Sequence, residues 1–84
     1  MQLTANLNNV PFGNMDSKSL GLIVLRERKA QKLRQDELAA ASGVGVRFIV
    51  DLEAGKPTLQ LEKALLVLRT LGCVMSIDPP ASGV

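Results

Sequence analysis

The chain has 84 residues and a formal net charge of +2; hydrophobic residues make up 46% of it and aromatic residues only 2%. One domain with an aliphatic core is expected at this length, and that composition favours a small helical bundle over a β-sandwich. A single cysteine and no histidine exclude an internal disulfide and argue against a structural zinc site, and no apolar run reaches the roughly 18–20 residues of a membrane-spanning helix.

The charge is unevenly distributed along the chain. Residues 1–34 carry six basic and two acidic residues, whereas residues 35–84 carry four basic and six acidic residues. The basic cluster has two interpretations, a solvated helix face or a surface for an anionic partner. Cysteine usage and the lack of a secretory signal predict a cytoplasmic protein, and we expect no cofactor and no metal.

The first half of the folded part is predicted to contain two helices. The Asn-rich residues 1–15 are expected to form a flexible arm, and the folded domain is expected to cover residues 16–80. A first helix over residues 18–31 has Asp16 or Ser17 as its cap. A second helix over residues 35–41 follows Arg34, a poor capping residue, and ends at Gly43, where a positive φ is readily adopted.

The second half is predicted to contain two more helices, a short strand and the tail 81–84. The third helix covers residues 46–54 and ends at Gly55. The fourth covers residues 59–71, has Thr58 as a plausible cap and ends at Gly72. Leu61, Ala64, Leu65 and Leu68 form one apolar face, and Leu66 and Val67 add a second, so the helix is expected to be buried on more than one side. The alternating residues 73–78 predict a strand that Pro79 and Pro80 terminate.

A lone strand needs a neighbour for its backbone groups, and a second copy of the chain supplies one in a two-fold dimer. The fold class is therefore mainly α, a compact bundle of four to five helices with one short C-terminal β-strand that pairs across a homodimer. The predicted dimer interface consists of Leu66, Cys73, Val74, Met75, Ser76 and Ile77.

The second and third helices are short and are joined by the small-residue turn Ser42-Gly43-Val44-Gly45. This spacing is typical of a helix-turn-helix, in which the start of the second of the two helices enters the DNA major groove. A helical corner without a DNA role has the same spacing, so the pattern by itself leaves both interpretations open.

The stretch LRQDELAAASGVGVRFIVDLEAGK, residues 33–56, resembles the helix-turn-helix of the phage-repressor (Xre-like) family. Its landmarks are Gln35, the Glu37-Leu38-Ala39 triplet of the second helix, the Gly43-Val44 pair of the turn, Ile49, and the closing segment Leu52-Glu53-Ala54-Gly55. The following FIVDLEAGKPT, fourth helix and strand resemble the HipB-like antitoxin branch. That resemblance implies a repressor-like bundle that pairs its C-terminal strands in a dimer, binds operator DNA and binds a HipA-like serine/threonine kinase toxin.

The resemblance also implies which residues contact bases. They are the first residues of the third helix and those one turn on: Gly45, Val46, Arg47, Val50 and Asp51. Arg47 is the strongest candidate, since an arginine bonds the O6 and N7 of one guanine together; the other interpretation is a surface arginine on a solvated helix face. Asp51 has two interpretations, acceptance from a cytosine N4 or orientation of Arg47. Val46 either contacts a thymine methyl or is an exposed residue without a DNA contact. Gly45 replaces the family's usual serine or lysine.

Further roles follow from the same resemblance. Phosphate contacts are assigned to Arg34, Gln35, Lys56 and Thr58. Arg28 and Glu53 are expected to form a largely buried ion pair between the first and third helices, and Phe48 is read as a packing residue.

The function implied is therefore a sequence-specific repressor of its own operon that binds double-stranded operator DNA and acts as an antitoxin in a HipA/HipB-like toxin-antitoxin module. Two alternatives stay open: a stand-alone phage-type repressor, and a protein-interaction module with little DNA binding, which Gly45 and Asp51 favour. An enzyme is not expected, since no catalytic motif is present.

Overall fold

The structure is a computed structural model that describes residues 15–77. This part of the chain contains four helices, α1 (Ser17–Ala30), α2 (Gln35–Ser42), α3 (Val46–Glu53) and α4 (Leu61–Thr70). The mainly helical fold class is thus confirmed. The predicted tail 81–84 and all of the predicted arm except Met15 lie outside the described residues.

Asp16 starts α1 one residue earlier than the prediction. Its Oδ1 accepts a hydrogen bond from the backbone N–H of Ser19 at 2.8 Å, and this bond holds the pKa of the Asp16 carboxyl below its usual range. An acceptor in this position satisfies one of the free N–H groups of the first helical turn. The alternative cap, Ser17, is instead the first residue of the helix.

All four helices end in the same way, with one residue at positive φ. That residue is Lys32, Gly43, Gly55 or Gly72, and φ lies between 59° and 80°. After each of them the next backbone N–H reaches back to a carbonyl five residues earlier, as in Leu33 to Arg28 at 3.1 Å and Val44 to Ala39 at 3.1 Å. This is the Schellman arrangement, which satisfies the last carbonyls of a helix. The three glycine ends agree with the sequence prediction, whereas Lys32 carries no such signal.

The core is aliphatic, as the composition predicts. The largest fully buried side chains are Val24, Leu38, Ile49, Leu52 and Val67, which come from all four helices. Helix α3 packs against both α1 and α2, and α4 packs against α2. Because α3 packs against two helices, its inner side, with Ile49 and Leu52, is buried.

Gly21 allows α1 and α3 to approach closely. A Cβ added at Gly21 would lie 2.2 Å from the carbonyl oxygen of Leu52 and 3.0 Å from that of Glu53. Both atoms belong to the backbone of α3, so they cannot move aside as the end of a flexible side chain does. Because any larger residue here collides with α3, this glycine sets the distance between the two helices.

Helix α4 differs from its prediction in length and in its buried face. It begins at Leu61, and its cap is Gln60 rather than Thr58. Leu59 precedes the helix and packs against the core from the connecting segment. Leu61, expected to face the core, is 68% exposed, whereas Val67 is fully buried. The core-facing residues are therefore Ala64, Val67 and Leu68, with Leu71 beyond the helix.

Residues 73–77 form no strand within this chain, and Asp78, the last residue of the predicted strand, lies outside the described residues. A strand is defined by hydrogen bonds to a neighbouring strand, and residues 15–77 contain no other strand. The single chain therefore gives no support to the strand, and its pairing across a dimer stays a prediction. None of the helices in the described range is long and apolar enough to cross a membrane.

Candidate nucleic-acid interface

Helix α3 has one buried side and one outward side. Ile49 and Leu52 are buried in the core. The opposite side of α3 is formed by Val46, Arg47, Val50 and Asp51, which helical spacing places next to one another. We call these four residues the outward face. Val46 is 47% exposed and the Arg47 side chain 82% exposed. The structure thus brings four of the five predicted base-contacting residues together on one surface.

Gly45, the fifth predicted residue, lies at the cap of α3. Its backbone is extended, with φ −74°, and its carbonyl accepts from the N–H of Phe48 at 3.0 Å. A Cβ at this position would meet no atom within 4 Å, so nothing in the fold requires a glycine here. The residue offers an exposed backbone and space for a ligand instead of a side-chain contact.

The charged groups of the outward face are linked to one another. The Nε of Arg47 lies 3.4 Å from Oδ1 of Asp51, one helical turn away. The Nζ of Lys56, in the segment after α3, lies 3.6 Å from Oδ2 of the same carboxylate. Sequence spacing indicated the first contact, since the residues are four apart on a helix. It missed the second, which depends on the turn at Gly55.

Arg34 and Gln35, two predicted phosphate contacts, lie at the start of α2. The Arg34 guanidinium is 3.1 Å from Asp36 Oδ1 and 3.7 Å from Glu37 Oε2. Hydrogen bonding to Arg34 lowers the pKa of the exposed Asp36 carboxyl, and the same bond raises the pKa of Arg34. The Arg34 backbone N–H donates to Glu37 Oε1 at 2.8 Å, so Glu37 supplies the cap that the arginine side chain does not.

The side chain of Gln35 points toward α3. Its Nε2 donates to Glu53 Oε1 at 3.0 Å, a bond that the sequence did not predict. This occupies one of the two amide hydrogens and leaves the other for a phosphate. The remaining two phosphate candidates, Lys56 and Thr58, are both exposed after α3.

Arg28 and Glu53 lie within hydrogen-bonding distance between α1 and α3. Arg28 Nε is 2.6 Å from Glu53 Oε2, and Nη2 is 3.0 Å from Oε1. The third nitrogen, Nη1, donates to the carbonyl of Leu33 at 2.8 Å. The hydrogen bond to Glu53 raises the pKa of Arg28. With Gln35, these groups tie three helices together behind the outward face.

Phe48 is half-buried and packs against the core, as expected from the sequence. Its ring also faces Lys63 of α4, whose Nζ lies 5.9 Å from the ring centroid. A cation at this distance is attracted by the ring face. No sequence pattern predicted this contact, because the two residues are far apart along the chain.

The predicted dimer residues fall into two groups. Leu66, Val74, Met75 and Ile77 are 37%, 59%, 43% and 77% exposed, and Ser76 is also exposed. Cys73 instead lies in the core of its own chain at 8% exposure. Burial, with a contribution from the nearby Glu27, raises the pKa of the Cys73 thiol to about 11. Since Cys73 packs inward, the exposed residues are the better candidates for a contact between copies.

Arg47 on the outward face and Lys56 in the segment after α3 are two exposed cations placed around one carboxylate. Exposed cations of this kind attract an anionic ligand. No cluster of three or more potential metal-ligating side chains occurs within residues 15–77.

Two comparisons with known proteins agree with this geometry. A family model described as helix-turn-helix matches residues 24–74. The chain is also similar to the uncharacterized HTH-type transcriptional regulator y4mF of Sinorhizobium fredii (strain NBRC 101917 / NGR234), with 62% identity over 61 residues. That match covers 73% of this chain and 80% of the relative.

Proposed function

Because this chain belongs to the Xre-like helix-turn-helix family of DNA-binding transcriptional regulators and is not an enzyme, we propose that it is a sequence-specific repressor of its own operon. The first turn of α3 enters the major groove of operator DNA. The start of α2 and the segment after α3 lie along the phosphates on either side.

One observation carries this proposal: the base-reading candidates occupy the exposed side of a helix whose other side is locked into the core. Arg47 projects from α3, 82% exposed. Ile49 and Leu52 anchor the same helix from beneath, and Glu53 fastens its end to α1. A rigid helix with a long, exposed arginine is the arrangement that reads base edges with little loss of backbone entropy on binding.

The protein acts as a homodimer in this proposal. Two copies related by a two-fold axis present two α3 helices about 34–36 Å apart, one turn of DNA, to a pseudo-palindromic site. The exposed apolar residues Leu66, Val74, Met75 and Ile77 support a contact between copies, with residues 73–78 pairing as strands.

We further propose an antitoxin role, in which the dimer binds a HipA-like serine/threonine kinase toxin. The support is the resemblance of residues 48–58, followed by α4, to the HipB-like branch; the C-terminal strand of that branch is itself a prediction for this chain. Coexpression with the product of an adjacent kinase-like gene tests it. We expect the two proteins to form a stable complex in which kinase activity is suppressed. If the kinase is active and does not bind this protein, the stand-alone repressor becomes the favoured interpretation.

The repressor proposal is tested by DNA binding of the wild type and Arg47→Ala. The probes are a duplex from the promoter of its own gene and a shuffled duplex of equal length, each titrated across a salt series. The wild type is expected to prefer the promoter duplex and to weaken with salt. Arg47→Ala is expected to lose roughly 5–150-fold of that preference, the worth of a bidentate guanine contact.

Arg34→Ala is the matched control, since it removes the same charge from a candidate phosphate contact. It is expected to weaken binding to both duplexes about equally and to lower the salt dependence. Weak binding by the wild type without sequence preference would instead favour the protein-interaction module, which the negative charge of Asp51 on the outward face supports.

A further inference from the structure

The Asp51 carboxylate of the outward face lies between two cations, Arg47 and the Lys56 that follows α3, which are candidates for different kinds of DNA contact. We propose that Asp51 is a positioning residue, which holds Arg47 for base reading and Lys56 for a phosphate and does not itself contact a base. This inference rests on the proposed function, and it selects one of the two interpretations that the sequence left open for Asp51.

The atoms used by Arg47 support this role. Its contact to Asp51 runs through Nε, so Nη1 and Nη2 stay available as a fork. A bidentate bond to guanine O6 and N7 requires two such parallel N–H donors. Arg28 differs, because all three of its nitrogens bind Glu53 or the Leu33 carbonyl. In Arg34, Nε and Nη1 contact the carboxylates of Asp36 and Glu37. Arg47 alone among these three arginines keeps its terminal fork for a ligand.

The exposures of the three side chains indicate that Asp51 is the one held in place. The Asp51 side chain is 19% exposed, whereas those of Arg47 and Lys56 are 82% and 55% exposed. A short, mostly buried carboxylate on a packed helix has few conformations, and the two long cations have many. Because Arg47 is exposed, the pair contributes little to stability, but it restricts the directions in which the arginine points before DNA arrives.

Lys56 is held by the same residue through two contacts. Its backbone N–H donates to the Asp51 carbonyl at 3.1 Å, as part of the Schellman turn that ends α3. Its Nζ lies 3.6 Å from the carboxylate. Lys56, the candidate phosphate contact, is therefore tied to the end of the base-reading helix by a backbone bond and a side-chain contact.

The carboxylate also has an electrostatic effect. It partly neutralises two cations on the surface that faces the phosphates, and so it weakens attraction to DNA of any sequence. Selectivity gained by orienting Arg47 is thus accompanied by reduced non-specific affinity. Both effects raise the ratio of operator binding to non-specific binding.

The experiment compares four proteins: wild type, Arg47→Ala, Asp51→Asn and the double variant. Each is titrated with the promoter duplex, with versions of that duplex that carry one substituted base pair in the bound site, and with the shuffled duplex. Glu62→Gln, which removes one exposed acidic charge on α4, is the charge-matched control. Melting curves establish that each variant is folded.

If Asp51 positions Arg47, Asp51→Asn relaxes selectivity at the same base pair as Arg47→Ala, and the double variant adds no further loss there. The operator-to-shuffled ratio falls roughly three- to tenfold in Asp51→Asn, with tighter binding to the shuffled duplex. If Asp51→Asn instead relaxes selectivity at a different base pair, and its loss adds to that of Arg47→Ala, Asp51 contacts a cytosine directly and the inference is overturned. An equal gain on every duplex, matched by Glu62→Gln, would overturn it in favour of a general charge effect.

A measurement without DNA separates this inference from the proposed function. The order parameter of the Arg47 Nε–H group by NMR relaxation is expected to fall in Asp51→Asn and to be recovered partly in Asp51→Glu, which restores the charge on a longer side chain. If the wild type binds DNA without selectivity yet Arg47 is ordered by Asp51, the proposed function fails while the positioning contact stands. Equal mobility of Arg47 in wild type and Asp51→Asn would contradict the inference whatever the DNA result.

Discussion

Glu53 is the acceptor on which three helices converge. It receives Arg28 from α1 at 2.6 and 3.0 Å and Gln35 from α2 at 3.0 Å, and its own side chain is only 5% exposed. A buried ion pair adds little net stability, because desolvation opposes the attraction, but loss of one partner leaves the other charge buried and unpaired. The role of Glu53 is therefore to fix the orientation of α3 relative to the two helices behind it.

Glu53→Ala is expected to destabilise the protein by about 3–5 kcal/mol, since the buried Arg28 guanidinium loses its counterion. Urea unfolding followed by circular dichroism measures the change. Asp36→Ala is the control, because it breaks an ion pair whose two side chains are more than 60% exposed, and a much smaller effect is expected. An unchanged unfolding midpoint in Glu53→Ala would contradict the prediction.

At the scale of the element, the ends of the helices are determined by four residues at positive φ. Gly43, Gly55 and Gly72 adopt this conformation at no steric cost, whereas Lys32 adopts it with φ 59° against the preference of a residue with a Cβ. The chain accepts this strain at the end of α1, where the Schellman bonds and the packing of Leu33 against the core compensate for it.

Lys32→Gly is therefore expected to stabilise the protein by about 1 kcal/mol, because glycine adopts this backbone conformation without strain. Chemical unfolding measures the gain. Lys32→Ala separates the backbone effect from the loss of charge, since it removes the ammonium group and keeps the Cβ. Equal stability of the glycine and alanine variants would show that the backbone conformation at this position is not the cause.

Gly21→Ala is expected to destabilise the protein by about 1–3 kcal/mol, even though alanine favours a helix by about 1 kcal/mol over glycine. The physical reason is the collision of the added methyl group with the α3 backbone at Leu52. Gly45→Ala serves as the matched control, since its Cβ meets no atom within 4 Å. Thermal and urea unfolding of the pair measure the difference, and equal stability would refute the close approach.

At the scale of the whole molecule, several large apolar side chains are exposed. Val74, Met75 and Ile77 follow one another closely at the end of the described chain, and Leu66 lies on the exposed side of α4. Apolar side chains grouped in this way are typical of a protein contact. They support the proposed dimer, whose two-fold symmetry would place a second α3 helix on the DNA.

If the chain forms the proposed dimer, Ile77→Glu is expected to convert it into a monomer and to weaken promoter binding by about a hundredfold or more, since the two half-sites are then no longer bound together. At 77% exposure the side chain adds little to the fold of its own chain, so the melting temperature of the monomer should change little. Sedimentation equilibrium and DNA titration measure both effects. Leu22→Glu, 44% exposed on α1, is the control; a monomeric wild type would contradict the prediction.

The order and approximate extent of the helices could be predicted from the sequence alone. Helical periodicity, the Asp16 cap and the glycines at positions 43, 55 and 72 are local signals that act within a few residues. The composition of the outward face could be predicted for the same reason, because the spacing of residues 46, 47, 50 and 51 determines which side of a helix they share.

Other features depended on groups that are distant along the chain, and only the tertiary structure decided them. Packing against α2 selected the buried face of α4 and exposed Leu61, because the core has room for only one side of that helix. The bond from Gln35 to Glu53, the reach of Lys56 to Asp51 and the close approach at Gly21 all require two segments to be placed in three dimensions. Local pattern determines which helices form, and close packing determines which of their side chains meet.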